Sequence, residues 1–254
     1  FLETGRRKLL ITSVVLLLLT QENMGIALAS LGFCYLFSKR YRKTAIGLIC
    51  GGFLVSIFLV KAVAFISPIG YEYSPRISLN PFIILSDFFN APDKRSVWYY
   101  SLGSFAFLPI FSPGALLGSI LDLAQYFITG PNFIRMWSPF THHRAILGPI
   151  LAIGTIQTFL FLQKRKVNTY YFAFTLFLFT LFFQYINHFP LNKLSKPIYW
   201  KSEAWMNDNN NLFKQIPKNA SLATTQNLIP HLSHRKEIYL IYPRIKTFNG
   251  ICEN

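Results

Sequence analysis

The residues that could do chemistry are charged or basic side chains that flank apolar runs. Glu22 separates two apolar segments, Lys61 lies near the end of a third, and His142, His143 and Arg144 precede a fourth. A lone carboxylate beside membrane helices usually marks a pathway, a partner or a metal ion. Arginine matches the bidentate geometry of a phosphate, and a lysine near a helix end reaches outward to lipid phosphate. The structural alternative is that Glu22 pairs with Lys61 or Arg144 and that the basic residues only anchor helices at the interface.

A second polar group lies near the end of the chain, between two short predicted strands at 221–224 and 237–242. In open parallel sheets, ligands gather beyond the carboxyl ends of strands. We therefore predict ligand contacts in this connection. The alternative is that the asparagine caps the following turn and the histidines are surface or packing residues. The candidates are Asn227, His231, His234 and Arg235.

The composition predicts that the bilayer is the solvent of most of the chain. Of 254 residues, 52% are hydrophobic and only 14% are charged, and 26 are phenylalanine; this lies outside the range of ordinary soluble domains. The first residue is Phe1 and no cleavable signal peptide follows, so we expect a fragment that lacks its own beginning. The three cysteines show no CxxC spacing and predict neither a disulfide framework nor a metal site.

The net charge of +15 does not indicate nucleic-acid binding, because the basic residues lie in short clusters between apolar runs. Such clusters are typical of cytoplasmic loops. An even number of crossings must then separate any two of them. The clusters are Arg6, Arg7 and Lys8; Lys39, Arg40, Arg42 and Lys43; and Lys164, Arg165 and Lys166.

The apolar runs predict about seven short or full membrane helices within residues 1–186, at 9–19, 24–37, 44–66, 98–108, 114–128, 145–162 and 170–186. Pro109 and Pro113 separate two of these helices, because proline removes a backbone donor and breaks a helix. The sequence "NPFIILSDFFN" favours an amphipathic helix along the interface. A last crossing carries residues 187–254 outside, where a helix at 203–214 and the two strands predict an incomplete extracytoplasmic α/β segment. The predicted fold is mainly α, a polytopic transmembrane bundle with a small α/β tail.

Three segments resemble a known family. "IPKNASLATTQNLIPHLSHRKEIYL" is similar to the terminal signature of the domain-of-unknown-function 2079 family of predicted polytopic membrane proteins from bacteria and archaea. "QENMGIALASLGFCYLF" resembles that family's Lys-Glu-Asp-x-Gly-Leu-x-Leu-Ala segment, with Asn23 at the place of the aspartate. "SPFTHHRAILGPILAIGTI" resembles its Tyr-His-Tyr-x-Ala-Pro-x-x-Pro helix start, matched at His143.

That family in turn resembles the GT-C glycosyltransferases, multi-pass enzymes that take a sugar from a polyprenyl-phosphate carrier on the outer face of the membrane. The resemblance implies a general base in a first outer loop, which would precede Phe1. It implies that Glu22, Lys61 and Arg144 hold the carrier phosphate or a divalent metal ion, and that His143 orients a substrate. The tail would cover the site or bind an envelope protein or glycan acceptor. The alternative is a non-catalytic membrane scaffold or envelope-assembly protein.

Overall fold

The fold is that of a computed structural model, which describes residues 2–68, 71, 78, 80–128, 131–141, 144–225 and 227–241, without the side chains of 131–133. The predicted site residues His142 and His143 lie outside these ranges. The chain divides into two units, residues 1–191 and 192–254; the sequence prediction placed the boundary at residue 186. The structure is mostly helical, as predicted.

Helices form nearly all of the first unit, and several begin where the sequence supplies a cap. Asn80 and Asn168 accept hydrogen bonds from backbone N–H groups of the turns that follow them, and Ser112 does the same for Ala115, which satisfies donors that a helix start leaves free. The helices are α1 (Arg7–Leu18), α2 (Met24–Tyr35), α3 (Arg42–Ile66), α4 (Pro81–Asp87), α5 (Pro92–Gly103), α6 (Pro113–Phe127), α7 (Leu147–Lys164) and α8 (Thr169–Ile186), with 3-10 helices at Leu108–Phe111 and Pro131–Trp137.

Two of these helices are long and apolar enough to cross a membrane by length and composition, α3 with 25 residues and α8 with 18. Helix α2 has 12 residues, or about 18 Å at 1.5 Å per residue, against about 30 Å of hydrocarbon. Two candidate spans are thus found among the described residues, and the predicted seven crossings stay a prediction.

Helix α2 lies at the centre of the first unit, between α3 and α6. Small residues allow this close packing. A Cβ atom added at Gly52 would stand 2.4 Å from the Gly25 carbonyl oxygen, and one added at Gly118 would stand 2.5 Å from that of Ser30. Such small-residue contacts are the usual way in which helices approach each other in membranes.

The segment before α6 differs from the sequence prediction at its start. Helix α5 begins at Pro92, not at residue 98, because proline at the first helical position is already set for the helix and needs no donor there. The break at Pro109 and Pro113 is confirmed: Phe107 has a φ of 60°, and a 3-10 helix precedes the Ser112 cap of α6.

In the tail, β1 (Leu222–Thr224) and β2 (Ile238–Leu240) pair in parallel, with Leu222 opposite Ile238. The two predicted strands are confirmed, each shorter than expected. Short helices accompany them: α9 (Pro190–Leu194), α10 (Pro197–Trp200), α11 (Ala204–Gln215) and α12 (Ile229–Leu232). The predicted helix at 203–214 corresponds to α11, shifted by one residue.

Candidate functional site

A cavity of about 680 Å³ opens in the first unit between the start of α2, the second half of α3 and the second half of α6. This volume is in the range of small-molecule sites. Its wall is mainly apolar and polar groups gather at one end. The lining residues are Gln21, Glu22, Asn23, Ile26, Phe53, Ser56, Ile57, Val60, Lys61, Tyr71, Leu121, Ala124, Gln125, Tyr126, Ile128 and Met136.

Glu22 and Lys61, two of the predicted site residues, both line this cavity. Glu22 is half-buried and Lys61 is exposed. Among the described residues, no salt bridge joins Glu22 to Lys61 or to Arg144. The pairing that would tie helices together through Glu22 is therefore not formed in the part of the chain that the structure describes.

The polar end of the cavity is ordered by amide hydrogen bonds. Asn23 Nδ2 donates to Gln125 Oε1 at 3.2 Å and to the Tyr126 hydroxyl at 3.1 Å. Gln125 Nε2 in turn donates to Asp122 Oδ1 at 3.2 Å. The Asn23 amide thus supplies donors to both neighbouring side chains of α6.

Asp122 and Arg144 lie behind this end of the cavity and do not line it. Asp122 is fully buried on α6. The Arg144 guanidinium donates to the Met136 carbonyl and lies 4.9 Å from the centre of the Tyr126 ring and 5.4 Å from that of Phe127. Burial lowers the pKa of Arg144, while Tyr126 and Asp122 act to raise it. Arg144 is thus close enough to Asp122 and Tyr126 to interact with them electrostatically, and it does not line the cavity that Glu22 and Lys61 share.

Lys94 forms a second buried charge site, at the junction of α4, α5 and α6. Its side chain is 1% exposed. The ammonium group donates to the carbonyls of Asp87 at 2.7 Å and Phe127 at 2.8 Å and to Asn90 Oδ1 at 3.0 Å. It also lies 4.0 Å from the centre of the Trp137 ring. Three acceptors satisfy the three ammonium hydrogens, so this group holds the fold around the end of α6.

The basic clusters gather at the opposite end of α2 from the cavity. Tyr35, at the end of α2, donates to Glu3 Oε1 at 3.3 Å, which places the start of α1 there. Gln157 Nε2 donates to the Cys34 carbonyl at 2.8 Å, and α7 continues from that contact to Lys164. Helix α3 also begins there, at Arg42. All three basic clusters therefore share one end of the unit, and they are exposed.

The tail candidates do not form one described group. His231 stacks on Phe213, with ring centres 5.7 Å apart. Arg235 donates to the backbone carbonyls of Ile216, Pro217 and Ala220, which fixes the turn before β1, at the amino end of that strand. Asn227 and His234 are exposed. Leu228, not Asn227, occupies the cap position of α12.

Asp122, Gln125 and Lys94 are not among the site residues predicted from the sequence. Asp122 did leave a signal, since it is the one acidic residue in the apolar run "PGALLGSILDLAQYFI", and an acid within such a run is costly and usually functional. The sequence around Lys94 gave no such signal, because a lysine near a predicted helix start is ordinarily exposed to solvent.

Comparison with known proteins gives one partial relative and one family. The chain is 28% identical over 115 residues to a Haemophilus influenzae protein named "Probable cytochrome oxidase subunit 2", an alignment that covers 42% of this chain and 26% of that protein. The chain thus spans about a quarter of this relative's length. No solved structure matches the chain. The family model described as "Predicted membrane protein (DUF2079)" matches residues 1–253. This chain therefore belongs to the DUF2079 family of predicted membrane proteins.

Proposed function

We propose that the chain is a glycosyltransferase-like membrane protein that binds a polyprenyl-phosphate-linked sugar in the cavity between α2, α3 and α6. One observation supports this most: a single cavity combines a free cation and a free carboxylate, Lys61 and Glu22, with a mainly apolar wall. A lipid with a charged head group needs charged residues for the head and an apolar wall for its hydrocarbon chain. The glycosyl-transfer chemistry itself comes from the family's resemblance to GT-C enzymes.

The lipid part of the ligand lies along α3. Phe53 and Ile57 line the cavity and also belong to the exposed apolar surface of this helix, so the cavity opens onto the surface that a bilayer would cover. A hydrocarbon chain can enter from that side without crossing water. Lys61, one turn beyond Ile57, then reaches the phosphate as a point charge.

The orientation of the site follows from the basic clusters. They lie at the opposite end of α2 from Glu22, and positively charged loops face the cytoplasm. The cavity then faces the outer side of the cytoplasmic membrane, where polyprenyl-linked sugars are used by enzymes of GT-C type.

The chemistry of this site is divided between charge and hydrogen bonding. Lys61 balances the leaving phosphate, whose charge grows as the sugar leaves. The remaining Gln125 N–H group binds a sugar hydroxyl group, and Glu22 accepts from the acceptor hydroxyl. The described residues hold no group of three or more His, Cys, Asp or Glu side chains that could bind a metal ion, so no step is assigned to a metal.

The first test is native mass spectrometry of the full-length protein released from its own membrane. Wild type is compared with Lys61→Met, Glu22→Gln and the control Lys39→Met, whose lysine lies at the far end of α2. We expect a polyprenyl phosphate, or its glycosylated form, on wild type and on Lys39→Met, and at least tenfold less on Lys61→Met.

Two results would overturn this assignment. Equal lipid on all variants would place the lipid elsewhere on the protein. Absence of any such lipid, with a co-purifying envelope protein in its place, would favour the scaffold function. A sugar-transfer assay with the loaded wild type then separates binding from catalysis, since a binding protein would retain the sugar on its carrier.

A further inference from the structure

The tail carries an apolar surface that its own core does not cover. It consists of residues on α10 and α11 whose side chains are largely exposed: Ile198 71%, Tyr199 58%, Trp200 70%, Trp205 57% and Leu212 56%. We call this set the tail surface. Exposed tryptophan is costly in water, whereas a membrane interface accommodates its apolar ring and its N–H group together.

The side chains of helix α11 form three stripes with different surroundings. Trp205 and Leu212 are two turns apart and share one stripe. Phe213 lies on an adjacent stripe and stacks on His231 of the tail itself. Asn207 and Lys214, also two turns apart, lie on the opposite side and are exposed. One stripe thus serves the tail's own packing, one faces water, and the Trp205 stripe has no described neighbour of its own.

The lysines around the tail surface indicate what this surface contacts. Lys193, Lys196 and Lys201 are exposed and lie among the aromatic residues of the tail surface. Positions 190–214 hold four lysines and two acidic residues, Glu203 and Asp208. Lysine interleaved with tryptophan and tyrosine is the composition of segments that lie in the headgroup region of an anionic bilayer. The position in the chain agrees, because α9 begins at Pro190, directly after the candidate span α8 and residues 187–189.

We infer that the tail surface binds the headgroup region of a membrane that contains anionic lipid, with α10 and α11 lying parallel to the bilayer plane. The stem of each lysine packs along the apolar surface and its ammonium group reaches the lipid phosphates. This binding does not depend on the ligand of the cavity.

The test uses the full-length protein, without native cysteines, in lipid nanodiscs that contain phosphatidylglycerol. Single spin labels are placed at Trp205→Cys and Leu212→Cys, with the matched pair Asn207→Cys and Lys214→Cys on the other side of α11. We expect the ratio of oxygen to nickel-chelate accessibility to be several-fold higher at 205 and 212 than at 207 and 214.

Two patterns would overturn the inference. High nickel-chelate accessibility at all four positions would mean that the surface faces water. Protection of 205 and 212 from both reagents would mean that protein covers it. The lysines are tested in the Lys193→Gln, Lys196→Gln, Lys201→Gln triple variant, in which the ratio at 205 should fall to the value seen in uncharged nanodiscs. An unchanged ratio would exclude the anionic surface as the partner.

Discussion

Lys94 and Asp122 are buried ionisable residues whose surroundings differ. Lys94 is surrounded by carbonyl oxygens and aromatic rings, whereas Asp122 has one amide donor and the nearby Arg144. A buried charge without compensation is among the costliest features of a protein. Both residues should therefore tolerate substitution poorly although neither lines the cavity.

Replacing Lys94 with methionine should lower the free energy of unfolding by about 2–4 kcal/mol, because the Asp87 and Phe127 carbonyls lose a charged donor while the side-chain volume is nearly kept. Thermal unfolding of the detergent-solubilised protein measures this. The control is Lys39→Met, at an exposed lysine, which should change stability by less than about 0.5 kcal/mol. Equal effects of the two substitutions would contradict the role of Lys94.

Asp122 allows the hydrogen bond and the charge to be separated. In Asp122→Asn, the side-chain oxygen still accepts from Gln125, and only the ability to ionise is lost. In Asp122→Leu both are lost, so we expect a further loss of stability of about 1–2 kcal/mol relative to the asparagine variant. The same unfolding assay compares the two variants. An equally stable Leu variant would show that Gln125 does not depend on this carboxylate.

At the scale of elements, most helices follow from local sequence and their arrangement does not. Asn80, Ser112 and Asn168 mark helix starts that hydropathy alone would place only within a few residues. The burial of α2, by contrast, depends on glycines of α3 and α6 distant in the chain, so no local pattern predicts it. The sequence did not predict that the Arg144 side chain packs outside the cavity, because the Met136 carbonyl and the aromatic rings that hold it come from other segments.

Gly51 and Gly52 provide a direct test of the α2–α3 contact. A Cβ atom at Gly52 would meet the Gly25 carbonyl oxygen, whereas one at Gly51 would have no atom within 4 Å. Gly52→Ala should therefore destabilise the protein by about 1–3 kcal/mol, and Gly51→Ala should leave it unchanged or more stable. Thermal unfolding of both variants measures these changes in stability. Equal effects would contradict the packing of these helices.

At the scale of the whole molecule, the two ends of the first unit differ in chemistry. One end carries the three basic clusters and the other the cavity with Glu22 and Lys61. The sequence predicted that the clusters share one side, and the contacts of Tyr35 and Gln157 place them together. The sequence could not predict the cavity, because its wall combines residues from three helices and from the segment around Met136.

This polarity predicts the orientation in the membrane. In a background without native cysteines, Lys166→Cys should react with a membrane-impermeant maleimide only after cells are permeabilised, and Asn210→Cys should react in intact cells. The first residue lies in a basic cluster and the second is exposed in the tail. Labelling of both or neither in intact cells would contradict the proposed placement of the tail outside.

The central position of α2 also has a consequence for biosynthesis. Its neighbour α6 begins only at Pro113, so a nascent chain that has completed α2 and α3 has not yet produced the helix that covers the Ser30 side of α2. Until then the small residues there are open to lipid or to other nascent helices. We therefore expect the contact between α2 and α3 to form before the contact between α2 and α6 during membrane insertion.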